Sequence, residues 1–104
     1  MHAAVPPMTR VILLAPRLGL DAAVPLAAQI KAERKHDLDL DASQVAHLGA
    51  LCLQVIMAAA LDWAAVGRQF RLVGATDACI MQLSLFGLSP ETLAAPEPIP
   101  EGAA

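Results

Sequence analysis

A chain of 104 residues, 57% apolar and only 16% charged, fills one small hydrophobic core and little else. The net charge is about −3 with the histidines neutral, and of seven Lys plus Arg only Lys31, Arg34 and Lys35 cluster, so a nucleic-acid-binding face is not expected. Trp63, Phe70 and Phe86 are the only aromatic residues, which leaves the core to Leu, Val, Ile and Ala and suits helix packing better than base stacking.

In chain order, Pro6 and Pro7 weaken any strand within residues 2–8, whereas Val11-Ile12-Leu13-Leu14-Ala15 reads as a strand that Pro16 limits. A helix is expected over residues 21–34. Asp21 is placed to cap it and Pro25 is tolerable in its first turn. Val24, Leu26, Ala27, Ile30 and Ala32 would face inward, leaving Gln29, Lys31, Glu33 and Arg34 to solvent.

Asp37-Leu38-Asp39-Leu40-Asp41 alternates acidic and apolar residues, the period of a strand with one buried and one wetter face. Three carboxylates on one face would suit a hard cation, but an edge or solvent face explains the same spacing. A polar turn follows, then an apolar helix over residues 49–66 that Gly67 is placed to end in a left-handed conformation. The run Leu48–Val66 is nearly apolar enough to suggest a membrane span, yet it carries Gln54 and Asp62, and burial in a compact domain accounts for it better. Residues 69–73 read as another strand, and Gly74–Asp77 as a turn that caps a final helix over 77–86 ending at Gly87. The Pro- and Glu-containing tail over residues 94–104 lacks periodicity and is expected to be disordered or extended. Strand–helix repetition of this kind implies an α/β domain over residues 1–93. Its sheet would have three to five strands, parallel or mixed, with the helices mainly on one face.

Residues with chemical potential are few. Cys52 and Cys79 fall within helices and read as buried free thiols of a reducing cytoplasm. The first residues have neither the basic start nor the apolar stretch of a signal peptide. His2 and His36 are expected to be solvated. His47 lies in the polar turn, without a cysteine or carboxylate at metal-ligand spacing. Ser43 lacks the context of a nucleophile elbow, and no glycine-rich phosphate loop is present. Neither a cofactor nor an enzymatic activity is expected.

The turn carries a more specific signal. Leu40-Asp41-Ala42-Ser43-Gln44-Val45, two variable residues, then Leu48-Gly49-Ala50-Leu51-Cys52-Leu53 resembles the STAS domain, found in anti-sigma factor antagonists and sulfate-transporter tails. That family's pattern is Leu-Asp-x-Ser-x-Val, two residues, then Met/Leu-Asp-Ser-Ser-Gly-Leu opening a helix. Residues 67–74 and 82–88 resemble its later strand, turn and closing helix, so the likeness spans residues 10–93.

The departure falls in the functional loop. In switchable members of the family the second serine is phosphorylated by a partner kinase; the aligned residue here is Leu51, its neighbour is Ala50, and the aspartate position is Gly49. The resemblance implies a non-catalytic bacterial regulator that is not switched by serine phosphorylation. Its contact surface would comprise Ser43, His47, Gly49, Ala50, Leu51 and Cys52. By the same resemblance its partner would be an anti-sigma factor, a histidine-kinase-like ATPase, or a component of a chemotaxis or lipid-transport complex. A nucleotide-binding role and a homodimer packed through Val55, Met57 and Ala58–Ala60 are alternatives. Whether Leu51 is contact surface or core filler stays open at this stage.

Overall fold

The computed structural model describes residues 9–93, so the strand considered within residues 2–8, His2 and the tail lie outside the described residues. The main sheet has three parallel strands in the order β1 (Thr9–Leu13), β3 (Asp37–Asp41), β5 (Phe70–Val73). Each strand is added on the same side of the last. Right-handed crossovers therefore carry both intervening helices, α1 (Ala23–Ala32) and α2 (Ala50–Ala65), to one face, as expected. Ile12, Leu38, Leu40, Phe70 and Leu72 point at those helices and are buried. Trp63 closes the core from α2: its ring lies 5.5 Å from that of Phe70, and its Nε1 donates to the His36 carbonyl at 2.7 Å.

The acidic strand is not at an edge. β3 is the central strand, with β1 and β5 hydrogen-bonded to it on either side and its Leu38 and Leu40 fully buried. Its aspartates are dispersed by separate partners. Asp37 accepts the Gln69 N–H at 2.9 Å, and Asp41 accepts the Ser43 N–H at 2.9 Å. Asp39 is buried, with its carboxylate held by both arms of the Arg71 guanidinium at 2.9 and 2.8 Å. Among the described residues no group of three His, Cys, Asp or Glu side chains is arranged to hold a metal ion.

Other boundaries shift for local reasons. β1 begins two residues earlier than the β-branched run, since Thr9 pairs with Asp37 in register. Residues 20–22 form a single 3₁₀ turn before α1, and Asp21 sits inside it without capping anything. On α1 only Ala23, Leu26 and Ile30 are buried, so Val24, Ala27 and Ala32 face outward against expectation. His36 is half-buried, its Nδ1 without a hydrogen-bond partner among the described residues. Gly67 does adopt φ +72° after α2. The helix α3 (Asp77–Leu85) is followed by a further turn of helix, α4 (Pro90–Leu93), which seats Leu93 in the core.

No sequence pattern announced the second sheet. β2 (Arg17–Leu18) and β4 (His47–Leu48) lie in the loops that leave β1 and β3, and they pair in parallel at the carboxyl end of the main sheet. This small pair fixes where α2 begins.

Candidate functional site

The loop from Ala42 to Gly49 is tied down on three sides. Ala42 N–H bonds to the Val73 carbonyl at 2.8 Å, and Ala46 and His47 N–H groups both bond to the Pro16 carbonyl, at 2.8 and 3.1 Å. From the third side, Thr76 Oγ1 donates to the Val45 carbonyl at 2.5 Å while accepting the Cys79 N–H at 3.1 Å, so one hydroxyl both holds the loop and caps α3. Gln82 of α3 accepts the Leu48 N–H at 2.7 Å, and its Nε2 lies 3.4 Å from His47 Nδ1. The loop is therefore rigid in its backbone. It presents Ser43, Gln44, Ala46, Ala50 and Leu51 to solvent.

Gly49 is the N-cap of α2, with extended dihedrals that any residue adopts. What requires glycine is proximity: a Cβ there would meet the Leu18 carbonyl oxygen at 2.8 Å. The same oxygen accepts the Gly49 N–H at 2.8 Å. Any side chain at this position would bring its Cβ against the β2 backbone, so glycine here and the β2–β4 pairing belong together.

The six expected contact residues divide. Leu51 is 45% exposed, which resolves the choice between core and surface in favour of surface, with rather more than half of its side chain still packed. Ala50 and Ser43 are exposed as well, and His47 is half-buried beside Gln82. Cys52 has to be withdrawn: it is 1% exposed, and its Sγ donates to the Gly19 carbonyl at 3.4 Å. Burial raises the pKa of both the Cys52 and the Cys79 thiol, which disfavours the reactive thiolate. Gly49 contributes backbone shape and no side chain.

Beside Ser43, the Asp41 carboxyl is held below the usual carboxylate range by the Ser43 side chain and then by the Ser43 N–H, which makes it a weak base. His47 is engaged with Gln82.

Apolar side chains that the sequence did not place at the surface are exposed on the elements that pack beside the loop and the start of α2. The 3₁₀ turn packs against the start of α2, and there Leu20 and Val24 are 74% and 79% exposed. On the other side α3, pinned beside β4 by Gln82, exposes Met81 and Leu85. Val24 showed no sign of this in the sequence, because its spacing from Leu26 and Ile30 is equally compatible with the inner face. The homodimer surface expected on α2 is reduced, since Ala59 and Ala60 are buried and only Met57 and Ala58 of that set lie fully outside.

A parallel α/β sheet with a strapped polar loop leading into a helix N-terminus is the arrangement that places residues 42–51 at the carboxyl end of the strands. The family model described as "Mlab, STAS domain" matches residues 1–93, and the chain belongs to the STAS domain family. No curated protein and no solved structure matches the chain. No helix among the described residues is long and apolar enough to cross a membrane.

Proposed function

We propose that this domain is a non-catalytic bacterial regulatory module that binds a protein partner in the cytoplasm through the start of α2, in the manner of an anti-sigma factor antagonist without a phosphorylation switch. The observation that carries this reading is Leu51, an exposed leucine in the first turn of α2 where switchable relatives have their acceptor serine. A phosphate there would add a charge of about −1.5 to −2 at the middle of a contact surface and release the partner. A leucine holds the surface permanently apolar. Exposed Leu20 of the 3₁₀ turn that packs on α2, and exposed Met81 and Leu85 of α3, add apolar surface that favours contact with another protein, since exposed apolar side chains are stabilised by being covered.

The same surface serves for an anti-sigma factor, a histidine-kinase-like ATPase, or a component of a chemotaxis or transport complex. Binding to such a partner, captured with the purified domain and then titrated, should weaken at least tenfold in Leu51→Asp. Incubation with a cognate kinase should leave residues 49–53 unmodified, and phosphate found there overturns the reading.

A further inference from the structure

A second surface feature lies away from the loop. It is an open groove of about 810 Å³ between α1 and α2, and it begins one helical turn beyond Leu51. Leu51, Val55, Ala58 and Asp62 follow one another at spacings of four, three and four residues, so they form a single stripe on α2. That stripe spans about 16 Å, or three turns. Ala27 of α1 faces Val55 and Ala58 across the groove, and these small side chains let a third backbone approach closely.

The far end of the groove is basic. Lys31, Arg34, Lys35 and Arg68 line it, four of the seven cations of a chain whose net charge is about −3, against the single carboxylate of Asp62. Among the described residues none of the four has an ion-pair partner. Glu33, at the end of α1, is taken by Arg10 at 3.6 Å. The charge is therefore concentrated where the surface is otherwise apolar, with Asp62 as the one carboxylate in the lining.

The geometry points to an amphipathic helix of a partner protein as the occupant, one with an apolar stripe of about three turns and acidic residues at one end. An extended segment laid on this apolar floor would leave its N–H and C=O groups without partners, whereas a helix satisfies its own. Acidic residues answer the four cations. A second copy of this chain is a poorer fit, because each copy would bring four more cations and one carboxylate to the same interface. The inference deepens the reading given above, as Leu51 heads the same stripe.

The test uses the full chain and two synthetic 16-residue helical peptides with the same leucine face, one carrying glutamates at one end and the other lysines in their place. Titration by fluorescence anisotropy should show the glutamate peptide binding at least tenfold more tightly at low salt. The double variant Arg34→Glu/Lys35→Glu, altered at exposed positions, should reverse that preference, and Ala58→Trp should weaken both peptides by filling the floor. Equal binding of the two peptides, or a preference unmoved by the charge reversal, overturns the inference. So does self-association of the chain that Ala58→Trp abolishes. Failure here with a Leu51-dependent natural partner still bound would leave the proposed function standing. Success here with the natural partner indifferent to Leu51→Asp would overturn only the proposed function.

Discussion

Replacing Gly49 by alanine should destabilise the domain by about 1–2.5 kcal/mol, because a penalty of about 2–3 kcal/mol outweighs the roughly 0.4–1 kcal/mol that narrowing the unfolded ensemble returns. The backbone at Gly49, φ −78° and ψ 162°, suits alanine, so backbone strain contributes nothing. The penalty comes from the added Cβ, 2.8 Å from the Leu18 carbonyl oxygen, where an ordinary contact needs roughly 0.6 Å more. Moving Leu18 away by that amount stretches the Gly49 N–H bond to the same oxygen, worth about 1 kcal/mol, and disturbs the β2–β4 register. Overpacking against a backbone atom adds about 1–2 kcal/mol. Gly49→Asp carries the same Cβ but regains about 1 kcal/mol as an N-cap, so it should lie between alanine and wild type. Gly19→Ala is the control: its Cβ meets nothing within 4 Å and its φ is −86°, so stability should hold or rise slightly. Urea unfolding at constant m-value measures all three. If Gly49→Ala unfolds at the wild-type midpoint, the close approach of β2 to the start of α2 is not what demands glycine.

Thr76→Val removes the cap of α3 and leaves the Val45 carbonyl without its donor, so a loss of about 2 kcal/mol is expected in urea unfolding, with the Ala42–Gly49 amides exchanging faster than the rest. Ser43→Ala should return the Asp41 carboxyl part of the way to the ordinary range, read by ¹³C NMR titration. Because the folded-state pKa is depressed, the stabilisation this gives wild type is present at neutral pH and is lost as pH falls through the carboxylate range. A thiol reagent at neutral pH should label neither Cys52 nor Cys79 in the folded protein and both after unfolding. Rapid labelling of Cys52 in the native state would restore it to the surface.

Much of the fold was legible because it rests on periodicity. The alternation in residues 37–41 and 69–73 and the long apolar run after Gly49 located two strands and α2 to within one residue or so. The strand order was not legible, since the acidic strand read as an edge and is central; given the order, crossover handedness fixes the side on which the helices lie. What escaped depends on distant neighbours. The two-residue strands β2 and β4 exist only because two loops run side by side, and two residues are too few to show a period. Asp39 read as solvated because an aspartate in a strand signals a wet face, whereas Arg71, 32 residues away, neutralises it in place. In the site, the resemblance located the loop but could not separate Leu51 from Cys52. Neighbouring helix residues point about 100° apart, which is the difference between 45% and 1% exposure.

The central claim is that Leu51 is a permanent contact residue. Its most direct test is one pair of measurements on Leu51→Asp: unfolding free energy and partner affinity. Removing a side chain packed over rather more than half of its surface costs about 1 kcal/mol, and an acidic group in the first turn of α2 returns about 0.3–1 kcal/mol. The account predicts a fold within about 1 kcal/mol of wild type and a partner complex weakened at least tenfold. An unfolded variant, or a stable one that binds its partner as tightly as wild type, would contradict it.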